Sequence, residues 1–176
     1  MSSVAIQNKK AGANGRYHKY VDEKIWEVNR DIYVDPEIYK IEQEKIFARA
    51  WLFVGHESQI RETGDFILSR MGEESVIVVR GKDHKIRVLL NSCRHRGMKV
   101  CRYDEGKTNK FYCPYHAWTY DLEGALVNVQ LYDELYQPPF DKKEGGRVSV
   151  AQIATVHGTI LATWYANAVP FDQYLG

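Results

Sequence analysis

The stretch Cys93-Arg-His-Arg-Gly-Met98, followed after a spacer by Cys113-Pro-Tyr-His-Ala-Trp118, decides how this 176-residue chain is read. It offers four side chains that bind soft or borderline metals: Cys93, His95, Cys113 and His116, in the pattern C-x-H-x17-C-x2-H. Two thiolates and two imidazoles are acceptable to zinc. A zinc finger, however, groups its cysteines and then its histidines, roughly C-x2-4-C before H-x3-5-H. Here each short loop lends one of each. That order suits two adjacent metals, one held by both sulfurs and the other by both nitrogens.

A Rieske 2Fe–2S centre is assembled in this way, with a pair of His replacing a pair of Cys on one iron. Two ferric ions, two sulfides and two thiolates sum to zero charge when both imidazoles are neutral. A four-thiolate cluster would carry two negative charges. An electron therefore enters the mixed-ligand cluster against less repulsion, and Rieske potentials lie at about −150 to +300 mV, against about −400 mV for plant-type ferredoxins. The neighbours suit such loops. Gly97 frees the backbone after the first ligand pair, and Pro114 fixes φ inside the second loop. Backbone N–H groups in both loops are free to point at sulfur.

The runs Cys-Arg-His-Arg-Gly and Cys-Pro-Tyr-His-Ala-Trp resemble the Rieske loops of aromatic-ring-hydroxylating oxygenase large (alpha) subunits. The run Cys93 to Val129 is similar to the biphenyl and toluene dioxygenase type, and the likeness extends over roughly residues 17 to 176. Rieske loops of respiratory and photosynthetic complexes carry an extra Cys in each loop and a Ser beside the second His. Met98, Tyr115 and Trp118 stand in those places here. With no hydroxyl aimed at a sulfide from the position of Trp118, a potential on the order of −150 mV is expected.

Composition and length point to one ordinary domain. A formal net charge of +1 gives no electrostatic case for nucleic acid. No apolar run is long enough to span a bilayer, and no signal-peptide core is visible at the N-terminus. With two of the three cysteines assigned to metal, Cys101 has no intrachain partner, which fits a reducing cytoplasm.

Residues 1–16 read as a mobile tail, and 17–176 as the Rieske domain with an N-terminal helical segment. Asp35-Pro36-Glu37 is a helix start; Ile38 and Ile41, three apart, and Tyr39, Ile46 and Ala50, at spacings of seven then four, fit one broad apolar side, and the helix is expected to run to about Arg49. Trp51 to Val54 reads as a buried strand. Asp65 to Met71 and Ser75 to Arg80 form a hairpin, Lys85 to Asn91 runs directly into Cys93, and residues 103–110 are a polar surface connection. Strands at 110–113 and 118–121 flank the second loop, followed by 125–129. A short helical turn is expected at Asp133 to Tyr136. Residues 147–155 and 159–166 are closing strands, and Val169-Pro170-Phe171-Asp172 starts a helix. The expected fold is mainly β: an antiparallel β-sandwich or small barrel with an N-terminal helix and both metal loops at one tip.

Several other residues have defined expectations. Cys101 reads as a small core residue. His18, His56, His84 and His157 have no ligand spacing. Arg94, Arg96, Lys99 and Arg102 make the first loop basic, either as a solvated loop or as a docking face for an acidic electron donor. Trp118 is a hydrophobic plug under the cluster, and Tyr115 is partly exposed with no catalytic role. The ring nitrogens of His95 and His116 that do not bind iron should face outward and keep their protons better in the reduced state. A potential that falls with rising pH follows.

The resemblance implies more than these residues carry. The family activates dioxygen at a mononuclear non-haem Fe(II) held by two His and a carboxylate, and no H-x4-H pattern for it occurs here. The chain therefore reads as part of a longer alpha subunit, or alternatively as a stand-alone Rieske ferredoxin-like carrier. In the first reading, electrons pass from a ferredoxin or reductase to the catalytic domain of the same or a neighbouring alpha subunit. The family assembly is commonly trimeric, with or without a small beta subunit. The aromatic substrate is not readable from these residues.

Overall fold

In the computed structural model, which describes residues 18–136, 138 and 140–176, the helix signal at Asp35 works as read. Asp35 Oδ1 accepts the Glu37 amide at 2.8 Å and the Ile38 amide at 3.4 Å. Helix α1 spans Pro36–Glu42. The tail expected at 1–16 lies outside the described residues, as does the side chain of His18. The chain divides into two units, Met1–Glu42 and Gln43–Gly176.

The first unit holds a small antiparallel hairpin, β1 (Val21–Asp22) with β2 (Glu27–Val28), and then α1. The Tyr20 hydroxyl donates to Asp35 at 3.2 Å. The helix expected to run to Arg49 ends sooner as an α-helix. The second unit opens with a π-helical segment, Gln43–Phe47, closed by the Ala48 amide donating to the Gln43 carbonyl at 3.0 Å.

Three small antiparallel sheets make up the rest of that unit, not a closed barrel. β3 is Leu52–His56, β4 Asp65–Met71, β5 Glu74–Arg80, β6 Ile86–Leu90 and β7 Glu105–Lys107. β8 is Phe111–Tyr112, β9 Thr119–Tyr120 and β10 Leu126–Asn128. The helical turn α2 is Tyr132–Leu135, β11 is Gln152–Val156, β12 is Thr159–Thr163 and α3 is Phe171–Leu175. The sheets run β6-β5-β4-β7, β11-β12-β3 and β10-β9-β8.

The unbroken apolar run in β5 explains how they pack. Side chains alternate across a strand, and both faces of β5 are buried. Ile77 and Val79 join Phe66, Leu89, Phe111, Trp118 and Tyr120 in one core. Val76 and Val78 join Val54, Ile60, Ile67, Met71 and Ile160 in a second. The first core lies under the Cys/His loops.

Three sequence expectations need correction. Residues 103–110 are not only a connection, because Glu105–Lys107 pairs with β4 as an exposed edge strand. The closing strand expected from 147 starts at 152. Before it, Leu89 bridges Ser149 and the Leu90 amide donates to the Val148 carbonyl, so this stretch first lines β6 and then changes sheet. Within the Trp51–Val54 run, Phe53 is exposed, while Trp51 and Val54 are buried.

Candidate metal centre

Two turns of the same design present the four predicted ligands. In the first, the Gly97 amide donates to the Cys93 carbonyl at 2.8 Å and the Cys93 amide to the Met98 carbonyl at 2.9 Å. In the second, the Ala117 amide donates to Cys113 at 3.0 Å and the Cys113 amide to Trp118 at 2.8 Å. The fourth residue after each Cys has positive φ, +71° at Gly97 and +56° at Ala117. That left-handed residue folds each turn back over its Cys, as glycine does without a steric penalty.

Asn91, which sequence reasoning passed over, clamps the base of the first loop. Its side chain donates to the Cys101 carbonyl at 2.7 Å and accepts the amides of Val100 and Cys101 at 3.1 and 2.9 Å. It is a buried polar side chain at the end of β6, and the same sheet accounts for its own amide, which donates to the Ser75 carbonyl.

The loops bring their ligands together as two pairs. Cys93 and Cys113 are both buried, and their thiols face each other. Burial pushes the Cys113 thiol up, the amides of Tyr115 and His116 oppose this, and Cys93 adds to the rise. On the other side, the imidazoles of His95 and His116 meet edge to face with centroids 4.7 Å apart. Each ring is only part-buried, yet both Nδ1 atoms are buried and have no hydrogen-bond partner. Desolvation, then the facing His116 and Arg96, lowers the His95 pKa, which favours the neutral imidazole that binds metal. Among the described residues no three His, Cys, Asp or Glu side chains gather as a single-ion site. Orphaned buried nitrogens are rare in folded proteins. Two of them beside two facing thiols fit a 2Fe–2S cluster, with sulfurs for one iron and nitrogens for the other.

The family profile of the Rieske 2Fe–2S domain matches residues 50–139, a span that contains both loops. The chain belongs to the Rieske 2Fe–2S domain family. It is 48% identical over 155 residues to benzene 1,2-dioxygenase subunit alpha of Pseudomonas putida, covering 88% of this chain and 34% of that protein. It is 44% identical over 162 residues to biphenyl dioxygenase subunit alpha of Metapseudomonas furukawaii, covering 89% and 35%. Among solved structures, naphthalene 1,2-dioxygenase from Rhodococcus sp. superposes with a TM-score of 0.82 at 37% identity, covering 93% of this chain and 37% of that one. This Rieske domain is of the kind that ring-hydroxylating dioxygenase alpha subunits carry. The chain spans about a third of the length of the curated relatives it matches.

Around the Rieske loops, Trp118 is buried and lies flat against His95, with centroids 4.9 Å apart and planes 7° apart. Its Nε1 donates to the Tyr136 hydroxyl at 3.2 Å, and Phe140 stacks on it. The plug expected from one tryptophan is thus an aromatic group that Tyr136 and Phe140 complete. Tyr120 was also missed. It is fully buried, its hydroxyl lies 3.2 Å from Cys93 Sγ, and it accepts the Arg94 amide at 3.2 Å. A Cys93 thiolate bound to iron would have no proton of its own, so the hydroxyl would then be the donor to the sulfur. The one sequence signal was a tyrosine in strand alternation just beyond the loop, since a buried Tyr hydroxyl needs a partner.

The remaining candidates lie elsewhere. Cys101 is buried, with its thiol donating to the Tyr103 carbonyl at 3.5 Å, as a core residue should. His56 caps a short 3-10 turn through Nδ1, and its Nε2 lies 3.3 Å from the His157 carbonyl. His84 and His157 occupy left-handed turn positions. Arg94, Arg96, Lys99, Arg102 and Tyr115 are exposed. Arg102 continues into a groove of about 640 Å³ that also carries Tyr103, Lys107, Lys110 and Tyr112 and reaches Pro114.

Proposed function

We propose that this Rieske domain relays single electrons in the alpha subunit of a ring-hydroxylating dioxygenase, with Cys93, His95, Cys113 and His116 as the cluster ligands. The observation that carries this reading is the pair of buried, unpartnered Nδ1 atoms beside two facing thiols. When bound, the cluster supplies a store for one electron at a time. Cys93 and Cys113 would bring two negative charges to one iron, and neutral His95 and His116 would hold the other through Nδ1. Trp118 keeps water from the His95 face, and the Tyr120 proton steadies the Cys93 sulfur.

The electron would come from a ferredoxin or reductase and leave for a mononuclear non-haem Fe(II) in a further domain of the same or a neighbouring alpha subunit. There the full enzyme would add both atoms of dioxygen to an aromatic ring. A trimeric assembly, with or without a small beta subunit, and a cytoplasmic location complete the proposal; among the described residues no helix is long and apolar enough to cross a membrane.

Anaerobic reconstitution of the chain tests the ligand assignment. It should take up equal iron and inorganic sulfide, and after reduction show an EPR signal coupled to two ligand nitrogens. His95→Ala and His116→Ala should each remove one of those couplings. A chain that takes up neither iron nor sulfide would sink the reading.

A further inference from the structure

Arg147 follows two glycines and was read as the first residue of a strand. The structure makes it the buried cation of the core beneath the loops. Only 6% of it is exposed. Its guanidinium carbon lies 5.5 Å from the ring centre of Phe111 and 5.8 Å from that of Tyr120. Nη2 donates to the Leu90 carbonyl, while Nε and Nη1 are buried and have no partner. Among the described residues no Asp or Glu forms an ion pair with it.

A buried charge without a counter-charge is expensive, so its persistence needs a reason. Satisfying the Leu90 carbonyl is not one, because that oxygen already accepts the Ser92 amide at 2.8 Å. The relevant neighbour lies across Tyr120. The ring flanked by Arg147 carries the hydroxyl that sits 3.2 Å from Cys93 Sγ. The cation therefore stands one aromatic ring away from a cluster sulfur.

We propose that Arg147 is an electrostatic positioning residue: a fixed positive charge, held behind Tyr120, that counter-balances the electron on the reduced cluster and raises its potential. The inference rests on the ligand assignment proposed above. The charge balance is simple. The oxidised cluster with two thiolates is neutral, and one electron from a one-electron donor takes it to a single negative charge with no proton moved. Arg147 then has a partner of opposite charge, and it has none before. Burial brings Arg147 down to about 10, and its electrostatic coupling to Tyr120, Cys101 and Cys93 opposes that fall; it is cationic at neutral pH.

The test is redox titration of the reconstituted chain at pH 6 with Arg147→Met, which keeps bulk without charge, and Arg147→Lys, which keeps charge. Iron and sulfide content are measured on each. Arg147→Met should hold its cluster, and at a fixed applied potential its reduced-to-oxidised ratio should fall about tenfold, equal to about 59 mV for one electron. Arg147→Lys should stay within about twofold of the unsubstituted chain, in line with the charge being what matters. A methionine variant with full cluster and unchanged potential overturns the proposal, as does a lysine variant shifted as far as methionine. Should the methionine variant fail to hold a cluster, Arg147→Gln, which can still donate to Leu90, is the neutral comparison under the same criteria. An unsubstituted chain that takes up no iron and sulfide defeats the ligand assignment instead.

Discussion

Ala117 holds a φ of +56°, a region an L-residue with a Cβ occupies at a cost of about 1–2 kcal/mol. Its counterpart in the first loop is Gly97, at +71°. Ala117→Gly should therefore stabilise the domain by up to about 1 kcal/mol, the backbone relief being offset by glycine's greater loss of freedom on folding. Thermal unfolding with cluster bound would show it as a rise in Tm, and a fall would contradict the strain argument. Tyr120 is the second residue with a defined consequence. Tyr120→Phe removes a proton aimed at Cys93 and should lower the potential on the order of 50 mV while leaving the fold intact. Protein voltammetry on the variant decides this. The hydroxyl also bears on the low potential expected from Trp118, because it approaches sulfur from a position that spacing did not reveal.

At the scale of elements, the loops depend on what closes their bases. Asn91→Ala would leave the Val100 and Cys101 amides and the Cys101 carbonyl buried without partners. A loss of about 2–4 kcal/mol is expected, read from denaturant unfolding, together with weaker retention of iron. The turn that feeds β6 has its own marker. The Arg87 guanidinium bonds both oxygens of Asp83 and holds its carboxyl at about 2. A depressed carboxylate stabilises above its unfolded value and loses that effect as pH falls. Asp83→Asn should therefore lower Tm by a constant amount above about pH 4, by a shrinking amount as pH falls toward and through 2, and by nothing once pH is well below 2. A difference at about pH 2 as large as that at about pH 5 would rule the ion pair out as its source.

These elements also show what could be read from sequence. The β4–β5 hairpin was legible because Met71-Gly72-Glu73-Glu74 carries a turn glycine between two runs rich in apolar residues, and Gly72 takes φ +66° as such a turn requires. The four candidate ligands could be proposed from sequence because residue types and spacing of this kind are themselves a statement about metal chemistry. Glu105–Lys107 was not, since an edge strand of three exposed residues, the middle one a glycine, has no apolar alternation to reveal it. Asn91, Tyr120 and Arg147 were not legible either. Their roles are contacts with Cys101, Cys93 and Tyr120 respectively, too far along the chain for any local pattern to record.

For the whole molecule, charge matters more by place than by sum. The net charge is only +1, yet Arg94, Arg96, Lys99, Arg102, Lys107 and Lys110 are all exposed on or near the first loop and the groove beside the second. A basic surface next to the cluster suits an acidic donor. Complementary charge of this kind acts mainly on the association rate and is screened by salt. Lys99→Glu with Arg102→Glu should slow reduction by an acidic ferredoxin about tenfold at low ionic strength, and the gap should close as salt is raised. Stopped-flow rates that ignore both salt and substitution would show that the donor docks elsewhere.

The matched pair of turns has one more consequence. Each is closed by its own main-chain hydrogen bonds, which would brace the frame that grips the irons. A frame of that kind has little room to relax when charge arrives or departs. The nuclear rearrangement that accompanies each transfer should therefore be small, and electrons should hop through this centre quickly over a modest driving force.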